Sequence, residues 1–75
     1  MAVKDEEADQ MISRMVSKLK SRREELGLSI NKTAEMAGLS HVGLLQLETG
    51  ARSPLLRTVI KLSHALGIPP SVLFE

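Results

Sequence analysis

The sequence contains no cysteine, tryptophan or tyrosine, and its one aromatic residue is Phe74. Without cysteine, neither a disulfide nor a thiolate metal site can form. With so few aromatic side chains, the chain lacks the stacking platform that holds single-stranded nucleic acid. No stretch approaches the roughly 18 consecutive apolar residues of a membrane span, and the charged first residues do not fit a signal peptide. We therefore expect a cytoplasmic protein without membrane contact.

The 75-residue length predicts one small domain. No nucleophile–base arrangement, carboxylate pair or metal-ligand spacing is recognisable, so we expect no enzyme activity, cofactor, metal ion or small-molecule ligand. Residues 1–9 hold one base and four acids, whereas residues 10–75 hold nine bases and five acids. A folded unit with this modest positive charge fits nucleic-acid binding, although an ordinary solvated surface fits as well.

Apolar residues recur at helical spacing along most of the chain, and no segment alternates with the period of a strand. We expect residues 1–7 to be a disordered acidic segment and residues 8–75 to form the domain. A long first helix is predicted from about Ala8 until Gly27 ends it. Three further helices and a last turn are predicted at Ile30 to about Ala37, His41 to about Thr49, Ser53-Pro54 to about Leu66, and Ser71–Phe74. In the fourth helix, Ser53 is predicted to be the N-cap and Leu56 to face the core.

The segment between helices 2 and 3 carries the pattern of a helix-turn-helix. Ala34 is small enough to let the two helices approach closely, and Gly38 can adopt the left-handed conformation that ends helix 2. Leu44 and Leu47 share one face of helix 3 and bury it. The opposite face is then free, as it is in a motif whose second helix enters the DNA major groove.

The sequence resembles the lambda-repressor-like family, which comprises phage repressor, Cro and Xre-type DNA-binding domains. The similarity covers roughly Lys20–Phe74. The matching positions are Arg23, Gly27, Leu28-Ser29, Ala34, Gly38-Leu39-Ser40, Leu44, Leu47-Glu48, Gly50, Pro54, Leu62, Ala65-Leu66-Gly67 and Leu73-Phe74. The resemblance implies an all-α fold of five helices, with helices 2 and 3 as the helix-turn-helix and an extended first helix. It implies a transcriptional regulator, expected to be a repressor, that binds double-stranded DNA sequence-specifically.

The resemblance also implies an ion pair between Arg23 of helix 1 and Glu48 of helix 3. Glu48 follows the core residue Leu47, where a mostly buried carboxylate needs a partner, and a guanidinium can bind it through two hydrogen bonds. The alternative is that both residues are solvated surface charges, which would contribute under about 1 kcal/mol.

Family members contact DNA bases from positions that correspond here to His41, Val42 and Gln46. Gln46 can bind adenine N6 and N7, and Val42 can meet a thymine methyl group. Phosphate contacts are expected from four residues, Lys32, Ser40, Thr49 and Arg52.

The sequence departs from the family at four positions, namely Ile30 in place of a phosphate-binding glutamine, Thr33 in place of a core leucine, Leu45 in place of a polar residue, and Gly43 within helix 3. The DNA-facing surface is therefore unusually apolar.

Proteins of this family usually bind pseudo-palindromic operators as two-fold dimers, with half-sites about 34 Å apart. A homodimer interface is predicted at Leu55, Ile60, Val72 and Phe74, which exceed what one small core can absorb; the alternative is that all four pack internally. A second candidate interface is the apolar stripe Met11, Ile12, Met15 and Val16 of helix 1.

The alternative function is a protein-interaction module, antitoxin-like or an adaptor, with a degenerate helix-turn-helix.

Overall fold

The computed structural model describes residues 2–75, and within them it contains five α-helices and no strand. The helices are α1 (Asp5–Glu25), α2 (Ile30–Ala37), α3 (His41–Thr49), α4 (Leu56–Leu66) and α5 (Pro70–Leu73). The prediction of an all-α fold with five helices is confirmed, and α2 and α3 have the bounds expected from the sequence.

α1 begins at Asp5, three residues before its predicted start. Residues 5–7, which we expected to be disordered, form its first turn, and the Lys4 carbonyl accepts hydrogen bonds from the Glu7 and Ala8 amides at 3.1 and 3.2 Å. The first turn carries three acidic side chains, and the positive end of the helix dipole stabilises negative charge there. The expectation of disorder at Met1 lies outside the described residues.

The predicted start of α4 is wrong, since the helix begins at Leu56 and not at Pro54. Ser53 and Pro54 belong to the connection after α3, and Leu55 is extended, with φ −74° and ψ 149°. Proline fixes φ at a value that suits an extended segment as well as a first helical turn, so a Ser-Pro pair fits both. Leu56 was also expected in the core but is 62% exposed, because it opens the helix one turn before the first buried residue, Val59.

All five helices contribute to one apolar core. Its buried side chains are Val16, Leu19, Ala34, Ala37, Leu44, Leu47, Val59, Leu62, Leu66 and Leu73. In α4 the core positions Val59, Leu62 and Leu66 follow the spacing of one helix face. Since α3 is anchored through Leu44 and Leu47, its opposite face is turned to solvent.

Two cations of α1 fix the last part of the chain. Lys18 Nζ donates hydrogen bonds to the carbonyl oxygens of Val72 at 2.9 Å and Glu75 at 3.4 Å. Arg22 Nε donates to the Leu66 carbonyl at 3.1 Å. The last carbonyls of a helix have no partner within it and accept such bonds. The long α1 therefore holds the C-terminal ends of α4 and α5.

Candidate nucleic-acid interface

A three-residue turn joins α2 to α3. Gly38 ends α2 with φ +69°, which an L-residue with a side chain rarely adopts. The Leu39 amide donates to the Ala34 carbonyl at 2.8 Å, closing the end of α2. Ser40 then caps α3, because its Oγ accepts a hydrogen bond from the Gly43 amide at 2.9 Å. These local contacts set the angle at which α3 leaves α2.

The ion pair between Arg23 and Glu48 connects α1 to the end of α3. Arg23 Nε lies 2.7 Å from Glu48 Oε2, and the second guanidinium nitrogen that contacts the carboxylate lies 2.8 Å from Oε1. A third donor of Arg23 reaches the Leu28 carbonyl at 2.8 Å. The two side chains are only 12% and 6% exposed. The hydrogen bonds to Glu48 raise the pKa of the Arg23 guanidinium, which favours its protonated form.

The outer face of α3 comprises His41, Val42, Leu45, Gln46 and Thr49. His41 and Val42 are exposed and Gln46 is half-buried, so each of the three residues expected to contact bases is accessible to solvent. At about 100° of rotation per residue, Val42 lies almost opposite the buried pair Leu44 and Leu47. Leu45 and Gln46 flank Val42, at about 60° on one side and about 40° on the other. Leu45 was not among the expected base contacts, although helical periodicity alone places it on this face.

Three of the expected phosphate contacts lie around α3, and the fourth, Lys32, lies on α2. Ser40 and Arg52 line the same pocket beside the start of α3. Thr49 and Arg52 line a second cleft, between the end of α3 and the first half of α1. Lys32 is exposed on α2, where its amide donates to the N-cap Ser29 at 3.0 Å. Arg52 therefore borders both clefts, whereas Lys32 places a positive charge on α2.

Two of these phosphate candidates already make hydrogen bonds within the domain. The Ser40 oxygen accepts from the Gly43 amide, which leaves its hydroxyl proton free for a phosphate. The Thr49 hydroxyl donates to the Gln46 carbonyl at 3.3 Å. Thr49 would have to exchange this long bond for one to a phosphate oxygen.

The four residues predicted to form a dimer interface are all exposed, but they are not consecutive in the sequence. Leu55, the most exposed at 74%, precedes α4, Ile60 lies within α4, and Val72 and Phe74 follow its other end. The alternative that all four pack internally is therefore wrong.

The apolar stripe of α1 is largely covered by the domain itself. Val16 is buried in the core, and Ile12 and Met15 pack against it, which leaves Met11 exposed. The core therefore includes a residue, Val16, that precedes the region of family similarity, because the extended α1 contributes to it. This stripe is thus a poor second interface.

The three-residue turn, the buried faces of α2 and α3 and the accessible outer face of α3 define a helix-turn-helix DNA-binding domain. A family model described as "Helix-turn-helix" matches residues 19–73. The chain belongs to this helix-turn-helix family of the Cro/C1 type.

Curated relatives carry the same kind of description. The chain is 40% identical over 52 residues to an uncharacterized HTH-type transcriptional regulator of Mycobacterium bovis and to those of two Mycobacterium tuberculosis strains. The match covers 69% of this chain and 20% of each relative. The chain thus spans about a fifth of the length of these relatives. Within residues 2–75, no helix is long and apolar enough to cross a membrane.

Proposed function

We propose that the domain is a sequence-specific double-stranded DNA-binding regulator of transcription, of the Xre/Cro type, that acts as a repressor in the cytoplasm. The observation that carries this proposal is the accessible outer face of α3 on a helix that the core and the Arg23–Glu48 pair hold rigidly. A helix held in this way can enter the major groove without the motif having to reorganise. Its effect on transcription would come from occluding the promoter or from contacting polymerase.

Charge and backbone donors support DNA as the partner. The bases exceed the acids by nine to five over residues 10–75. Arg52 and Lys32 lie near the beginnings of α3 and α2 respectively, where free amides also favour an anion. Such contacts to phosphate would position α3, and the side chains of its outer face would then select the base sequence.

A two-fold dimer on a pseudo-palindromic operator completes the proposal. The exposed apolar side chains Leu55, Ile60, Val72 and Phe74 supply surface that a second copy can bury. Because a single α3 spans only a few base pairs, two copies with half-sites about 34 Å apart would give the longer recognition sequence that an operator needs.

A protein-interaction module is the second candidate function. The observation that favours it is the apolar character of the outer face of α3, where Val42 is 59% and Leu45 is 41% exposed. An apolar surface of this kind can also pack against another protein.

The two functions differ in their response to salt and to DNA sequence. We expect selection from random duplex DNA to enrich a palindromic motif, and binding to that motif to weaken steeply between about 50 and 200 mM salt through counterion release. The Gln46→Ala variant should bind the selected site less tightly. No enrichment, together with a Gln46→Ala variant that behaves like the unaltered chain, would contradict DNA recognition and favour the protein-interaction module.

A further inference from the structure

The most outward part of α3 is apolar, which is unusual for a surface expected to contact base edges. Val42 projects almost directly away from the core, and Leu45 lies about 60° from Val42 around the helix axis. Both side chains are accessible, at 59% and 41%. They lie three residues apart on a helix whose buried face already has its own leucines, Leu44 and Leu47. Packing of the domain therefore does not explain why these two positions are apolar.

A major groove offers few partners to such a pair of side chains. Base edges there present hydrogen-bond donors and acceptors, which Val42 and Leu45 cannot satisfy, and the C5-methyl group of thymine is the apolar exception. Covering a donor or acceptor with an apolar side chain leaves it without a partner and costs free energy. An apolar pair thus favours base pairs that carry a methyl group and disfavours those that do not.

We propose that Val42 and Leu45 together determine specificity by contacting the C5-methyl groups of pyrimidines at neighbouring base pairs of the half-site. The inference rests on the proposed DNA binding and names Leu45 as a base-contacting residue. Because 5-methylcytosine carries its methyl group on the same ring carbon, the pair would accept a methylated cytosine in place of thymine.

The spacing along α3 agrees with contacts to adjacent base pairs. Three residues advance a helix by about 4.5 Å, and base pairs follow one another at about 3.4 Å, so the two side chains match steps of one to two pairs. Gln46 lies on the other side of Val42, and its amide can bind N6 and N7 of an adenine. We therefore expect the half-site to contain adjacent A·T pairs beneath the centre of α3.

The test compares DNA with and without the methyl groups. Duplex DNA is first selected from a random pool, and the enriched site is then synthesised with deoxyuridine in place of thymidine at one position at a time. Where Val42 or Leu45 makes its contact, we expect affinity to fall about fourfold per methyl group, which corresponds to about 0.8 kcal/mol for one buried CH₂-sized group. Replacing thymine at such a position by cytosine should weaken binding, and 5-methylcytosine should recover a similar factor over cytosine.

Matched variants assign the effect to these side chains. In Val42→Ser and Leu45→Ser, the thymine-to-uracil affinity ratio should approach one at the position each residue contacts, while the salt dependence stays the same. The control is Met36→Ser, which replaces an exposed apolar side chain of α2 and should leave every ratio unchanged. Circular dichroism checks that each variant is folded.

Three outcomes separate this inference from the proposed function. If no sequence is enriched, the proposed DNA binding fails and the inference fails with it. If a site is enriched but uracil substitution leaves its affinity unchanged at every position, DNA binding stands and the methyl contacts are overturned. Enrichment of G·C pairs at the positions that Val42→Ser and Leu45→Ser affect would also overturn them. The uracil comparison on the unaltered chain needs no variant at all.

Discussion

Arg23 of α1 and Glu48 of α3 hold each other through two parallel hydrogen bonds of 2.7 and 2.8 Å in a largely buried setting. Arg23 also binds the Leu28 carbonyl in the connection between α1 and α2. A single guanidinium thus joins three parts of the domain. Two parallel bonds fix orientation as well as distance, so the pair helps to set the position of α3 against the rest of the domain.

Replacing Glu48 by alanine should strongly destabilise the domain. The change leaves the Arg23 charge largely buried without its carboxylate, and breaking a buried pair in this way costs roughly 3–5 kcal/mol. The free energy of unfolding, measured by urea denaturation and followed by circular dichroism, gives the size of the loss.

The control for this prediction is Glu25→Ala. Glu25 also pairs with an arginine, Arg22, at 3.5 Å, but the two side chains are 66% and 39% exposed, so the loss should stay below about 1 kcal/mol. If Glu48→Ala destabilises no more than Glu25→Ala does, the Arg23–Glu48 pair does not have the structural role described above.

Replacing Thr33 by valine should stabilise the domain. Thr33 is fully buried on α2, and its Oγ1 has no hydrogen-bond partner among residues 2–75. A buried hydroxyl without a partner costs about 1–3 kcal/mol, and valine fills nearly the same space without it. We expect the free energy of unfolding to rise by about 1 kcal/mol, whereas Thr49→Val at an exposed site should change it by less than about 0.5 kcal/mol. A destabilised Thr33→Val variant would show that the hydroxyl has a partner, such as a bound water.

Signals that act within a few residues were predicted well from the sequence. Gly38 ends α2 and Ser40 caps α3 because each effect depends on neighbouring backbone groups alone. The prediction that α4 begins at Ser53-Pro54 was wrong because proline is compatible with two backbone conformations, and tertiary packing selects between them.

Contacts between distant parts of the chain had no local signal. The bonds from Lys18 to Val72 and from Arg22 to Leu66 join residues that lie 54 and 44 positions apart. The Arg23–Glu48 pair was expected because a family resemblance supplied the partner. The composition of the outer face of α3, including Leu45, is visible in the sequence, but how far each of its side chains is exposed depends on how α3 packs.

Ser40 and Gly43 should show a strong coupling in a double-mutant cycle. A Cβ at position 43 would lie 2.8 Å from Ser40 Oγ, so Gly43→Ala displaces the hydroxyl that caps α3. In the unaltered chain, the lost cap, about 1 kcal/mol, should offset the gain in helix propensity, also about 1 kcal/mol. In the Ser40→Ala background there is no cap to lose, and Gly43→Ala should raise the free energy of unfolding of the domain by about 1 kcal/mol. Equal effects of Gly43→Ala in the two backgrounds would contradict this coupling.

Arg52→Ala should weaken binding to every DNA sequence by a similar factor. Arg52 lines the cleft with Ser40 and the cleft with Thr49 and is expected to bind a phosphate, which carries no sequence information. The slope of log affinity against log salt should decrease in magnitude by about 1. Lys61→Ala removes the same charge from an exposed position on α4 and should leave the slope nearly unchanged. A loss that differs strongly between selected and random DNA would instead make Arg52 a base contact.

The Phe74→Ser variant should weaken self-association if the C-terminal residues form the dimer interface. Phe74 is half exposed, and in a two-fold interface each substitution acts twice. Losing even half of an aromatic side chain's burial on both copies removes about 2 kcal/mol, so the dissociation constant should rise at least tenfold. Sedimentation equilibrium at micromolar concentration measures it, with Leu55→Ser testing the other end of α4. Leu26→Ser, which changes an exposed leucine outside the predicted interface, should associate like the unaltered chain. A chain that is monomeric at these concentrations, with and without its selected DNA, would contradict the dimer.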